Sequence, residues 1–206
     1  QYIARLHLVG GPKLVSAWLQ GNWDIIDGAF FDEWNGAKHV IPQFIIPPHW
    51  TRAMSLDWGS AKPFSVGWWA IVPDRFDQYE PPGDPRYHYQ NNLPRGCLVR
   101  YREWYGCQVN DRGESMHNNV GLKLTIEQCA QGICDRELRE PRRPEGGPAI
   151  AYRVADPSIF KQDGGPSFAE RFAALPYNLR FQPGDNPRTG RTGAMGGWAM
   201  VRQRLV

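Results

Sequence analysis

Apolar side chains follow two rhythms along this chain. Residues 52–57 (RAMSLD), 64–72 (FSVGWWAIV), 97–105 (CLVRYREWY) and 149–156 (AIAYRVAD) alternate or run apolar over short stretches, which predicts strands. Helical spacing marks other segments. In residues 1–20, Leu6, Val9, Leu14, Val15, Trp18 and Leu19 recur at helical intervals broken by Gly10-Gly11-Pro12, so two short helices are expected. A longer helix is predicted over 126–139. There Ile126, Cys129, Ala130 and Ile133 share one face, and Thr125 and Gln128 have capping-box spacing. The Pro- and Gly-rich stretch 141–148 ends it. A short helix over 167–175, an extended stretch 178–182 and a last helix from residue 194 complete the pattern.

Between these elements lie stiff or turning connectors. Residues 21–50 read as extended and end in Ile45-Ile46-Pro47-Pro48, which places a domain boundary near residue 50. Residues 58–63 supply a turn, and residues 73–96, rich in Pro, Gly, Asp and Asn, read as a long hairpin tip. The order strand, strand, strand, helix, strand, helix predicts an α/β fold with a mixed sheet and flanking helices. An antiparallel meander followed by a crossover opens the ribonuclease-H-like arrangement, one candidate among several at this point.

Composition narrows the class. With 206 residues, 41% of them hydrophobic and 22% charged, wholesale disorder, collagen and coiled coil are out. Nine Trp, 18 Pro and 22 Gly describe aromatic anchors joined by turns. No run approaches the roughly 18 apolar residues of a membrane span, and the first residues lack a secretory pattern. They also lack an initiator Met, so an excised fragment is expected. Cys97, Cys107, Cys129 and Cys134 form no CxxC pair and read as reduced thiols rather than zinc ligands. The net charge of +3 is unevenly spread: residues 1–135 hold 12 Lys+Arg against 14 Asp+Glu, and residues 136–206 hold 12 against 7. Most of the C-terminal cations are Arg, which suits either bidentate phosphate contact or a solvated face.

Candidate chemistry lies at the strand ends. Alternation in 97–105 places Cys97, Val99, Tyr101, Glu103 and Tyr105 together, so Glu103 is expected to face with the apolar set and to need a partner or metal. In 149–156 the same count groups Ile150, Tyr152, Val154 and Asp156, while Asp57 closes the strand 52–57. Acids at the ends of strands about 4.8 Å apart converge within reach of one or two divalent ions. Such a cluster stays ionised only if cations neutralise it. Two Mg²⁺ or Mn²⁺ ions roughly 3.5–4 Å apart then activate water and stabilise the leaving oxygen of a phosphodiester. For each acid taken singly, the competing reading is a helix cap, a turn former or an Arg partner.

Other chemistries find less support. There is no GxxxxGK[ST], hence no ATPase-type phosphate loop in this chain. Ser55, Ser60 and Ser65 have no GxSxG context, and His7, His39, His49, His88 and His117 form no HExxH. Trp68, Trp69 and Trp104 lie in strands, where core packing is the expected role.

The run Arg52-Ala53-Met54-Ser55-Leu56-Asp57-Trp58-Gly59, followed by Lys62-Pro63 and the Trp68-Trp69 strand, resembles the start of the nuclease domain in large terminase subunits of tailed bacteriophages. Gly21-Asn22-Trp23-Asp24 with Gly28-Ala29-Phe30-Phe31 is similar to the segment that joins the family's ATPase domain to its nuclease. Tyr101-Arg102-Glu103-Trp104-Tyr105-Gly106 resembles its strand after the hairpin, Ala155-Asp156-Pro157-Ser158 its second acidic motif, and Asn186-Pro187-Arg188 with Gly190 a later loop. The resemblance runs over essentially the whole chain.

That resemblance implies a ribonuclease-H-like, metal-dependent endonuclease that cuts concatemeric viral DNA in the host cytoplasm. Residues 1–50 would be the end of a preceding ATPase domain's linker, and 51–206 the nuclease. Asp57 and Asp156 would be the metal-binding acids, with two Mg²⁺ or Mn²⁺ ions, and Glu103 a supporting metal or water ligand. Arg188, Arg191, Arg202 and Arg204 would hold the DNA backbone without reading sequence. The implied partners are double-stranded DNA, the ATPase domain of the same polypeptide, the portal protein and the small terminase subunit, with no membrane. The family's last acidic motif, an Asp-His run with a further Asp, does not occur before Val206, so the domain is expected to lack its C-terminal end. Two alternatives stand beside this reading: a non-catalytic module that docks DNA or the portal, and a transposase- or resolvase-type nuclease of the same fold.

Overall fold

The computed structural model describes residues 31, 33–73, 93–110, 112–114, 120–142, 146, 148–185 and 196–205. The two helices expected within 1–20, most of the 73–96 hairpin tip, and Arg188 and Arg191 lie outside them. The chain divides into two units, Gln1–Ile41 with Trp198–Val206, and Pro42–Gly197.

In the first unit, α1 (Gly36–His39) starts at Asn35, whose side chain accepts the Ala37 N–H at 2.9 Å. His39 Nδ1 accepts the Asn35 N–H, so its Nε2 carries the proton and donates to the Leu205 carbonyl at 3.1 Å. The Phe31 and Trp198 rings stack at 5.5 Å.

The second unit is built on a five-stranded sheet. Its strands are β1 (Thr51–Asp57), β2 (Ser65–Ile71), β3 (Leu98–Tyr105), β4 (Tyr152–Ala155) and β5 (Gln182–Pro183), in spatial order β3-β2-β1-β4-β5. Antiparallel pairing joins β1 to β2 and β2 to β3, while β4 lies parallel to β1 and β5 parallel to β4. This is the α/β mixed sheet that the order of elements predicts, in the ribonuclease-H-like arrangement that was one candidate for that order. A helix forms the β3-to-β4 crossover, as a parallel return requires. It is α2 (Ile126–Glu137), and its capping box is complete: Thr125 accepts the Gln128 N–H and Gln128 accepts the Thr125 N–H. A 3₁₀ turn (Pro157–Phe160) and α3 (Phe168–Ala173) follow, and α4 (Gly197–Arg204) belongs, past its first residue, to the first unit.

The core lies between α2 and one face of the sheet. Met54, Leu56, Val66, Trp68 and Ala155 meet Ile126, Cys129, Ala130 and Ile133, with Phe64, Ile159 and Phe172 at one end. Burying each large apolar side chain contributes about 1.5–3 kcal/mol. Two polar clusters sit at its edge. The buried Trp68 donates its indole N–H to Glu137 at 3.2 Å, and Glu137 also bonds Arg153 of β4. Buried Arg52 donates to the carbonyls of Ile46, Pro47 and Pro48, which pins the Pro47-Pro48 connector to the start of β1. All four cysteines are free thiols, as read from the sequence. Among the described residues no helix is long and apolar enough to cross a membrane.

Candidate active site

Parallel pairing of β1 with β4 sets the geometry. Leu56 stands opposite Ala155, and the Asp156 N–H donates to the Leu56 carbonyl at 3.2 Å, so the chain leaves both strands in step. Register partners in a parallel ladder point to the same face. Leu56 and Ala155 point into the core, and the next residues, Asp57 and Asp156, therefore emerge together on the opposite face. Ligand sites of α/β sheets form at carboxyl ends such as these.

The two acids sense each other. Partial burial first, and the Asp156 carboxylate second, raise the Asp57 carboxyl above its usual range. Asp156 is oriented by its own backbone: one carboxylate oxygen accepts the Ser158 N–H at 2.8 Å and caps the 3₁₀ turn. The cap read as a competing role for such an acid is thus present alongside the pairing with Asp57.

Glu103 departs from expectation. Trp68 pairs with Arg102 but Trp69 with Arg100, so Tyr101 is an extra residue that bulges β3 and reverses its alternation. Val99 and Glu103 consequently lie on opposite faces, and Glu103 does not face with the apolar set. It stands on the face of the acid pair, in the row Ser55–Gly67–Glu103, and bonds Arg100 at 3.0 Å with 41% of its side chain exposed. Likewise Asp156 shares its face with half-exposed Val154 and exposed Tyr152, not with the core.

Beside Asp57 on that face is an arrangement that sequence reasoning did not single out. The Trp69 indole crosses β2 over Gly67 and donates to Ser55 Oγ at 2.8 Å. A Cβ at Gly67 would lie 2.9 Å from Trp69 Nε1 and 3.0 Å from Ser55 Oγ, so the crossing requires glycine. Its one legible signal is a glycine within the otherwise bulky run SVGWWAI.

Of the arginines assigned to DNA, Arg202 is bonded to Glu33 within the first unit and Arg204 belongs to that unit too. Two carboxylates offer hard oxygen donors, the kind Mg²⁺ and Mn²⁺ take. No group of three or more His, Cys, Asp or Glu side chains that could hold one ion occurs among the described residues. The donor set there fits a divalent cation held by Asp57 and Asp156.

No protein-family model matches the chain, and no curated protein matches it. Similar solved structures include the large terminase from a thermophilic bacteriophage. One crystal form aligns over 89% of this chain and 32% of its own, with 16% identity and a TM-score of 0.49. The complex of that terminase with ATP-gamma-S aligns over 90% of this chain and 35% of its own, with 15% identity and a TM-score of 0.48. The chain thus spans about a third of the length of these structures.

Proposed function

We propose that this chain carries the nuclease of a phage-type large terminase, a metal-dependent endonuclease that hydrolyses phosphodiester bonds of double-stranded DNA. The observation that carries this reading is the emergence of Asp57 and Asp156, from motifs resembling the family's two acidic runs, side by side on one face of the sheet. In this reading the first unit adjoins an ATPase domain of the same polypeptide, and the portal and small terminase subunit are the assembly partners.

Asp57 and Asp156 would hold Mg²⁺ or Mn²⁺. When bound, such ions supply Lewis-acid polarisation of the scissile phosphate and a more acidic water. The chain's own residues prepare the place. Ionised Asp57 beside Asp156 is an unfavourable charge pair that a cation relieves. The Ser158 N–H fixes the aim of Asp156, and the Trp69–Ser55 bond gives the neighbouring surface a rigid floor. Hydrolysis forms a bond from phosphorus to water oxygen and breaks one to a sugar oxygen, which leaves with a proton.

Nicking of supercoiled plasmid in Mn²⁺ tests this reading. Asp57→Ala and Asp156→Ala are each expected to slow nicking by on the order of 10³-fold. Wild-type rates in either variant would remove that residue from the chemistry.

A further inference from the structure

The three lysines of the second unit stand in loops that follow the strands ending at Asp57 and Asp156 or are bonded to such a loop. Lys62 follows Asp57 by five residues, Lys161 follows Asp156 by five, and Lys123 belongs to a segment bonded to the Lys62 loop. All three are exposed and make no ion pair among the described residues. Five arginines of the same unit, Arg52, Arg100, Arg102, Arg153 and Arg171, are instead each ion-paired with a carboxylate.

Two of these loops are locked to one another. The Gly121 N–H donates to the Ala61 carbonyl at 2.9 Å, and the Lys123 N–H to the Ser60 carbonyl at 3.2 Å. A Cβ at Gly121 would lie 2.2 Å from the Ser60 carbonyl oxygen, so only glycine lets the backbones come this close. Lys123 itself has φ of +56°, a left-handed conformation that a long side chain rarely adopts. The sequence thus places a cation where glycine would be relaxed, in a loop rigidly tied to the one that leaves Asp57. A polyanion brought to an anionic pair needs cations around it, and lysines serve as point charges for phosphates without reading bases.

We propose that Lys62, Lys123 and Lys161 form a rim that grips the phosphates of duplex DNA on either side of the acid pair. This rests on the nuclease reading above. The test is duplex binding by fluorescence anisotropy across a salt series in EDTA, where no cleavage occurs. Lys62→Gln, Lys123→Gln and Lys161→Gln are each expected to weaken binding and to reduce the slope of log K against log salt by about 0.9. Arg139→Gln, an exposed change just past α2 at the other end of the sheet, is expected to leave the slope unaltered. Lys123→Gly relaxes the backbone and removes the charge, so a higher Tm with weaker binding is expected, a combination that a purely structural lysine would not give. Slopes for the lysine variants equal to that of Arg139→Gln would overturn the rim. Plasmid nicking by the wild type in Mn²⁺ is scored separately. Nicking with unchanged slopes rejects the rim alone, and reduced slopes without nicking reject the nuclease and keep the rim.

Discussion

Asp57 holds its proton more tightly than a free carboxyl, because it is partly buried and because Asp156 stands beside it across the β1–β4 ladder. A folded-state pKa above the unfolded value means the native chain binds more protons in that window. Stability therefore falls as pH rises through it. Asp57→Asn is expected to stabilise the metal-free protein at pH 7, by no more than about 1 kcal/mol because solvent screens an exposed pair. The gain should vanish below the ordinary carboxylate range. Thermal melts of both proteins from pH 3 to 8 check this, and a gain independent of pH would contradict it.

Glu137 holds two strands to α2 through Trp68 and Arg153. Glu137→Ala leaves a largely buried guanidinium unpaired, with an expected cost of about 3 kcal/mol. Adding Arg153→Met should recover most of that loss. Denaturant midpoints of the single and double variants measure the coupling, and simple additivity would show that the two residues act apart.

The Trp69 crossing depends on the absence of a side chain at position 67. Gly67→Ala forces the indole off Ser55 and is expected to cost about 1–3 kcal/mol. Ser55→Ala removes the same hydrogen bond without the clash, at about 1 kcal/mol. If denaturant titration ranks the two in the reverse order, the indole does not lie where the glycine permits.

Thr125→Ala removes the acceptor for the Gln128 N–H at the start of α2. The expected loss is about 1 kcal/mol, with no change in DNA affinity. Chemical denaturation alongside anisotropy checks both parts.

Local signals were legible in the sequence and pairwise ones were not. The Thr125–Gln128 box predicts the start of α2 because a cap is made within four residues of chain, and the apolar runs locate the strands to within about three residues. The phase of β3 could not be read, because the bulge at Tyr101 exists only in register with β2, and that extra residue turned Glu103 to the other face. Asp57 and Asp156 were visible as acids closing strands. That they share a face follows from the parallel Leu56–Ala155 register, which no single strand encodes. The Pro47-Pro48 connector, stiff in sequence, is tied to β1 by Arg52, a contact that pattern alone does not encode.

Direct titration of Mn²⁺, followed by calorimetry in the wild type and in Asp57→Asn and Asp156→Asn, bears most closely on the acid pair. Asparagine at 156 keeps an oxygen to cap the Ser158 N–H, so the fold is preserved while the charge is lost. The expected result is binding by the wild type and at least tenfold weaker binding by each single variant. Equal Mn²⁺ affinity in all three proteins would mean that the two carboxylates do not share an ion.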